Sequence, residues 1–215
     1  MKVVVDGNIG SGKTTQLGLL EKKGFPVFRE PIDQWPLEEY YKDKKRGIFP
    51  LHMAILRTLR PRGPGVYERS LLSSRWVFWE WAKTKWTVPE DETYDYFYNK
   101  HLWHPDLYIF LAKSPEKCFE AIQKRGQTGD KFVTLEYLRE LDDLYKKMVM
   151  NVPCQVHVIN AEAPAEEIHE KILNILSHNE YTVLGGDGER NKVQKRSGTG
   201  GSLLCPPFQD LCRMS

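Results

Sequence analysis

The sequence predicts an α/β fold in which a five-stranded parallel sheet carries helices on both faces. Short apolar runs alternate with segments of helical periodicity over the first 178 residues, a pattern typical of such sheets. The chain has 215 residues, of which 40% are hydrophobic, and this is enough for one domain with a substantial core. No stretch approaches ~18 consecutive apolar residues, so no membrane span is predicted.

Each predicted strand is a short apolar run, and a helical segment separates it from the next strand. The strands are predicted at residues 3–5, 26–29, 65–67, 107–111 and 156–159. The helices are predicted at about 14–23, 36–45, 49–60, 70–85, 89–102, a segment ending near 125, 134–150 and 164–177. In parallel sheets of this kind ligands bind at the carboxyl ends of the strands. The polar residues that follow strands are therefore the first candidates for a functional site.

Composition changes near residue 179, which predicts a folded domain over residues 1–178 and a disordered tail over residues 179–215. Residues 185–202 hold 6 of the 16 glycines and show no hydrophobic period. Such a segment cannot bury enough apolar surface to offset the entropy lost on ordering. The more apolar residues 203–208 are interpreted as part of an unstructured end rather than as a docking motif.

Charge balance and cysteine content limit the classes of partner and of compartment. Lys and Arg number 31 against 29 Asp and Glu, so the net charge of +2 does not predict nucleic acid held on a broad basic surface. The four cysteines form no CxxC pair and show no metal-ligand spacing. Since the apolar pattern begins at residue 2, no signal peptide is expected, and we expect a reduced, cytoplasmic protein.

Residues 7–14 read GNIGSGKT and fit the phosphate-loop pattern G-x-x-x-x-G-K-[ST] between a predicted strand and a predicted helix. Backbone N–H groups in such a loop surround phosphate oxygens, and the helix N-terminus adds partial positive charge. Lys13 is expected to reach the β- and γ-phosphates, and the Thr14 hydroxyl to bind Mg²⁺. The predicted ATP-binding residues of this segment are Gly7, Asn8, Ile9, Gly10, Ser11, Gly12, Lys13, Thr14 and Thr15.

The absence of GTPase motifs from the sequence favours a phosphotransferase that acts on a small acceptor. Neither an NKxD-type base reader nor a DxxG switch after the third strand is found. The loop by itself indicates only that ATP or GTP is bound. The reaction has to be inferred from the residues on the acceptor side.

Three charged residues follow the second and third strands, where they are expected beside the phosphate loop. Glu30 can accept the proton of an attacking hydroxyl, as a general base must. Glu68 can hold Mg²⁺ directly or through water, and Arg69 can stabilise charge on the transferring group or orient Glu30. Alternatively, Glu30 is a solvated loop carboxylate, and Glu68 and Arg69 form an exposed ion pair at a helix start.

Five motifs in this order make the chain resemble the deoxynucleoside kinase family. They are GNIGSGKTT at 7–15, EPIDQW at 30–35, YYKD at 40–43, YERSLLSSRWVF at 67–78 and KRGQTGDKFVTLEYL at 124–138. The resemblance implies a P-loop kinase fold with a short lid, and transfer of the ATP γ-phosphate to the 5′-hydroxyl of a deoxynucleoside. It also implies ATP and Mg²⁺ as cofactors and a homodimer.

The resemblance further implies roles for single residues. Glu30 matches the general base, Glu68 the metal-associated acid and Arg69 the arginine near the 5′-oxygen. The other matched positions are Trp35 and Phe78 around the base, Tyr41 and Asp130 at the 3′-hydroxyl, and Arg125 in the lid.

Departures from the family pattern bear on the base that is bound. His52 stands where the family has a glutamine that reads the base, so either His52 reads the base differently or the base contacts come from other residues. Alternatively, the helix register slips and His52 packs in the core or faces solvent. Leu59 and Ser74 stand where deoxycytidine-type members carry an Arg and an Asp, which favours thymidine, with deoxycytidine as a second substrate. Arg57 lies close enough in sequence that a shift of two residues would reverse this argument.

The lid also departs from the family pattern. Ala121 and Gln127 stand where two lid arginines are expected, with Lys124 or Lys131 as possible substitutes in charge only.

Two other functions stay open at this point. A thymidylate-type monophosphate kinase would share the fold, but Glu30 would repel an acceptor that already carries a phosphate. A nucleotide-binding module without catalysis would fit the altered lid and His52, whereas Lys13, Thr14, Glu30 and Arg69 argue against it.

Overall fold

The computed structural model describes residues 1–179 and residue 181, and these residues belong to one compact unit. Its sheet has five parallel strands in the order β2-β3-β1-β4-β5. The strands are β1 (Lys2–Asp6), β2 (Val27–Phe28), β3 (Gly65–Glu68), β4 (Leu107–Ala112) and β5 (Gln155–Asn160). The predicted α/β fold is confirmed, and β1, which precedes the phosphate loop, is the central strand.

Nine α-helices occur in the described part of the chain. They are α1 (Lys13–Lys22), α2 (Leu37–Lys42), α3 (Lys44–Thr58), α4 (Leu71–Ser73), α5 (Glu80–Lys85), α6 (Asp91–His101), α7 (Pro115–Arg125), α8 (Leu135–Val149) and α9 (Ala165–His178). Short 3₁₀ turns occur at Ile32–Gln34 and Thr128–Phe132. We use the name lid segment for residues 126–133, which connect α7 to α8.

Two of the predicted helices differ from the structure in a way that has a local cause. The predicted helix over 70–85 is interrupted by a π-helical stretch, Ser74–Trp79, that joins α4 to α5. The predicted start of the third helix at residue 49 is wrong, since α3 begins at Lys44. Asp43 caps it, because its carboxylate accepts a hydrogen bond from the Arg46 backbone N–H at 3.1 Å.

The alternation of side chains along β1 divides the core into two layers. Val3 and Val5 pack with Leu17 of α1 and Ile172 of α9 on one face of the sheet. Val4 faces the opposite layer, which contains residues of α3, α6 and α8 and most of the aromatic side chains. Both faces of the sheet are therefore covered, and the carboxyl ends of the strands remain as the place for a site.

No helix among residues 1–179 and 181 has the length and apolar character of a membrane-spanning segment. The predicted tail, 179–215, lies outside the described residues except for two positions. Asn179 forms the C-cap of α9, and the Tyr181 ring stacks on Phe25 with centroids 5.6 Å apart.

Candidate active site

The phosphate loop connects β1 to α1 and adopts a conformation that depends on glycine. Gly12 precedes α1 with a φ of 99°, in the left-handed region that other residues rarely adopt. A Cβ at Gly10 would lie 2.5 Å from the carbonyl oxygen of Cys118, so α7 leaves no room for a side chain. The loop is thus shaped by its own backbone and by the helix that packs against it.

Lys13 is buried within the loop that carries it. Its Nζ donates hydrogen bonds to the carbonyl oxygens of Gly7 and Asn8, both at 2.8 Å. Burial and the charge of Arg69 lower the pKa of Lys13 from 10.5 to about 8. A desolvated ammonium group of this kind gains from an anionic ligand, as a phosphate group would be.

The loop borders a cleft of about 1640 Å³ at the carboxyl ends of the strands. The predicted ATP-binding residues that line it are Ile9, Gly10, Gly12, Lys13, Thr14, Thr15 and Arg125. Gly7, Asn8 and Ser11 are instead buried behind this surface. The Asn8 side chain donates to the Leu138 carbonyl oxygen at 2.8 Å, so it anchors the loop to α8.

Glu30 and Arg69 form an ion pair on the wall of the same cleft. Arg69 Nη1 donates to Glu30 Oε2 at 2.6 Å, and the two side chains are only 10% and 12% exposed. Glu30 is thus not a solvated loop carboxylate, and Glu68 and Arg69 are buried rather than an exposed ion pair. Arg69 also has a φ of 60°, unusual for a residue with a side chain, and its contacts hold it in that conformation.

The surroundings of Glu30 favour its protonated form more than water does. Burial raises the pKa of Glu30, and the charges of Glu68 and Asp6 act in the same direction, while Arg69 and Lys13 oppose them. A carboxylate with a raised pKa is a stronger base than an exposed one, provided that it is ionised at the working pH.

Thr14 and Glu68 present two oxygen atoms at the junction between the phosphate loop and β3. Thr14 Oγ1 lies 3.3 Å from Glu68 Oε1, and both residues line the cleft. Mg²⁺ usually takes one or two protein oxygens and completes its shell with water and phosphate oxygens. The pair therefore fits the metal site expected from the sequence.

Asp6 and Tyr145 belong to the same cluster, although sequence reasoning did not single them out. Asp6 is fully buried at the end of β1, and its Oδ1 lies 3.4 Å from Arg69 Nε. Tyr145 of α8 accepts a hydrogen bond from Arg69 Nε at 3.2 Å. The signal available in the sequence was a carboxylate directly after the apolar run and directly before Gly7, which an ordinary strand end also shows.

The other end of the cleft is a mainly apolar pocket suited to a flat ring. Trp35 lines it, and its Nε1 donates to Thr58 Oγ1 at 2.9 Å, which fixes the indole ring. Phe78 lines it as well, and the Arg69 guanidinium lies 5.2 Å from the centre of that ring. Leu59 is buried on the pocket wall, whereas Arg57 is exposed.

His52 lies on the pocket wall and is nearly fully buried, which excludes a solvent-facing position. Its Nδ1 is 3.1 Å from Ser74 Oγ, which is in turn 3.3 Å from the Tyr94 hydroxyl. Burial and the charge of Arg75 lower the pKa of His52 to about 3, so the imidazole is neutral at ordinary pH. With Nδ1 bonded to Ser74, Nε2 is the atom left for a ligand.

Asp130 of the lid segment lies against Arg125, the last residue of α7, and Tyr41 lines the same cleft. Arg125 donates to both carboxylate oxygens of Asp130, at 3.2 Å from Nε and 2.5 Å from Nη2. These hydrogen bonds lower the pKa of Asp130. The Tyr41 ring stacks on Phe132 with centroids 4.4 Å apart. Arg125 must therefore exchange a partner if it is to bind a phosphate.

The residues expected in place of lid arginines lie at the end of α7 and in the lid segment. Ala121, Lys124, Gln127 and Lys131 all border the cleft. Gln127 contributes its backbone N–H, which donates to Asp130 Oδ2 at 2.8 Å. The two lysines supply positive charge at this mouth of the cleft but not the planar fork of an arginine.

A parallel sheet with a phosphate loop after its central strand, and a cleft that continues into an apolar pocket, defines a P-loop phosphotransferase for a small acceptor. The family model described as "Deoxynucleoside kinase" matches residues 3–195. The chain therefore belongs to the deoxynucleoside kinase family, as its motifs suggested.

The chain is similar to kinases that are named for different nucleosides. The human mitochondrial thymidine kinase 2 is 27% identical over 213 residues, covering 88% of this chain and 80% of the relative. The deoxyadenosine kinase of Dictyostelium discoideum is 31% identical over 173 residues, covering 73% and 70%. A structure of M. mycoides deoxyadenosine kinase with the products dCMP and dCDP has a TM-score of 0.73 and 26% identity, and the match covers 83% of this chain and all of that one.

Proposed function

We propose that this member of the family transfers the γ-phosphate of ATP to the 5′-hydroxyl of thymidine, with deoxycytidine as a second substrate. The observation that carries the proposal is the buried Glu30–Arg69 pair, which lies on one cleft with Lys13 and the phosphate loop. A base beside the phosphate-binding loop is what the deprotonation of an acceptor hydroxyl requires.

In the proposed reaction, Glu30 takes the proton of the 5′-hydroxyl while the 5′-oxygen forms a bond to the γ-phosphorus. The bond from that phosphorus to the β,γ-bridging oxygen breaks, and ADP leaves. Lys13 and Arg69 stabilise the negative charge on the transferring group, since both are cations held in a partly dry site. Thr14 and Glu68 would hold Mg²⁺, which when bound neutralises charge on the β- and γ-phosphates.

The proposed base preference rests on the neutral character of the pocket. Leu59 and Ser74 give it no charged pair for cytosine, and His52 offers one neutral ring nitrogen. Trp35 and Phe78 supply flat apolar surfaces for a pyrimidine ring. At the sugar, Tyr41 and Asp130 are proposed to bind the 3′-hydroxyl, and Arg125 to turn towards the phosphates. A homodimer is also proposed, to be measured by light scattering.

The test is a phosphate-transfer assay with ATP and Mg²⁺ that offers thymidine, deoxycytidine, deoxyadenosine, deoxyguanosine and thymidine monophosphate in parallel. The highest kcat/KM is expected for thymidine, with deoxycytidine next. Turnover of the monophosphate alone would identify a monophosphate kinase, and preference for a purine would overturn the base assignment.

The Glu30→Gln variant tests the general base in the same assay. Turnover is expected to fall about 10²–10⁴-fold while ATP binding is retained, because an amide cannot accept the proton. Glu38→Gln is the matched control, since Glu38 also borders the cleft but lies on α2 and is paired with exposed Lys42. An unchanged rate for Glu30→Gln would show that another group is the base.

A further inference from the structure

The carboxylate of Asp6 lies between the phosphate loop and Arg69 and binds both. Oδ1 accepts a hydrogen bond from the Gly7 backbone N–H at 2.7 Å and is 3.4 Å from Arg69 Nε. Oδ2 accepts a hydrogen bond from the Tyr108 hydroxyl at 2.5 Å. One fully buried side chain thus joins the first residue of the loop to the arginine of the acceptor side.

Tyr145 closes this arrangement from α8. Its hydroxyl donates to Asp6 Oδ1 at 3.2 Å and accepts from Arg69 Nε at 3.2 Å. The guanidinium is therefore held at Nε by Asp6 and Tyr145 and at Nη1 by Glu30, while Nη2 lies 3.4 Å from the Gly7 carbonyl oxygen. Rotation of Arg69 away from Glu30 would break several of these contacts at once.

A buried carboxylate is costly to the fold unless it is paired, and an apolar residue would serve a central strand better. The cluster around Asp6 satisfies that charge with Arg69, two tyrosine hydroxyls and a backbone N–H. These contacts fix the position of Arg69 relative to Gly7 of the phosphate loop. A shift of about 1 Å in such groups can lower a rate about 10²-fold.

We propose that Asp6, acting with Tyr145, is a positioning residue that fixes Arg69 and Glu30 relative to the phosphate loop, so that the acceptor hydroxyl meets the γ-phosphate in line. The inference rests on the proposed function, because it assumes that Glu30 and Arg69 act on the acceptor. Neither Asp6 nor Tyr145 lines the cleft, so they act through Arg69 rather than on the substrate.

The experiment compares Asp6→Asn and Tyr145→Phe with wild-type protein, measuring both phosphate transfer to thymidine and ATP hydrolysis without a nucleoside. Both variants are expected to lower kcat for transfer about 10–100-fold while KM for ATP changes less than about threefold. The ratio of transfer to hydrolysis is expected to fall about tenfold, because hydrolysis by water does not require a bound 5′-hydroxyl to be aligned with Glu30. Tyr98→Phe, another buried tyrosine outside this cluster, is the matched control and should keep the wild-type ratio.

A merely structural role would lower transfer and hydrolysis in the same proportion, and that result, or an unchanged kcat in Tyr145→Phe, would overturn the inference. If Asp6→Asn does not fold by circular dichroism, Tyr145→Phe carries the test, since it keeps the carboxylate and the ring. Wild-type protein that phosphorylates none of the nucleosides would instead defeat the proposed function, a separate outcome.

Discussion

The two sides of the cleft are built in different ways. Apart from Glu68 and Arg125, the donor side, which is proposed to bind ATP, is one short segment, residues 7–15, with backbone N–H groups, one buried lysine and a helix N-terminus. The acceptor side is assembled from side chains on separate elements: Glu30 after β2, His52 on α3, Arg69 after β3 and Asp130 in the lid segment. Under the proposed function, recognition of the donor is thus mostly local in the chain, whereas recognition of the acceptor depends on tertiary packing.

Among four further changes that compare the two sides, the largest effect is expected from Lys13→Met on the donor side. Removal of the one cation in the phosphate loop should lower kcat/KM for ATP by about 10³-fold, since nothing else in the segment carries its charge. Steady-state kinetics with varied ATP measure it. The control is Lys22→Met at the exposed end of the same helix, and retention of half the activity by Lys13→Met would show that the donor side is not confined to this segment.

On the acceptor side, Asp130→Asn should act through the sugar. Loss of a charged partner for the 3′-hydroxyl is expected to raise KM for thymidine about 10–100-fold, and to leave KM for 3′-deoxythymidine nearly unchanged. The two substrates serve as each other's control within one variant. An equal rise for both would mean that Asp130 only orders Arg125, its partner in the structure.

Replacement of His52 is expected to have a smaller effect, on the free energy of unfolding. Because folding lowers its pKa from 6.5 to about 3, the unfolded chain binds the proton more tightly, and stability is lost as the pH falls below about 6.5. Between pH 7 and pH 5 this amounts to about 2 kcal/mol. Urea unfolding should show a shallower pH dependence in His52→Gln than in wild type, whereas exposed His178→Gln should match wild type.

The smallest effect is expected when residues 185–215 are deleted, because residues 185–202 lack a hydrophobic period and residues 203–208 are interpreted as part of an unstructured end. Melting temperature and kcat should both stay near those of the full chain. A fall in melting temperature of more than a few degrees would show that residues 185–215 contribute to the stability of the folded domain.

This contrast explains what could be predicted from the sequence. The phosphate loop was predictable because its function lies in the spacing of consecutive residues. Glu30 and Arg69 were predictable as neighbours because both follow strands that end at one sheet edge. Asp6 and Tyr145 were missed, since a single acid at a strand end and a tyrosine on an amphipathic helix have ordinary structural explanations.

The pairing of Arg125 with Asp130 and the π-helical stretch at Ser74–Trp79 also lay beyond the sequence. The first depends on how the lid segment folds over α7, and the second on a hydrogen-bond pattern that side-chain periodicity does not report. Both border the cleft, where packing rather than local spacing decides the geometry.

The central place of β1 has a consequence for the order in which the protein forms. β1 pairs on one side with β3, where Lys2 is opposite Gly65, and on the other with β4, where Val3 is opposite Leu107. A nascent chain therefore carries the phosphate-loop residues long before it contains the strands that hold β1. Contacts so distant in sequence form slowly, because a long loop must close first. During synthesis, competence to bind ATP should thus arise only after β4, Leu107–Ala112, has left the ribosome.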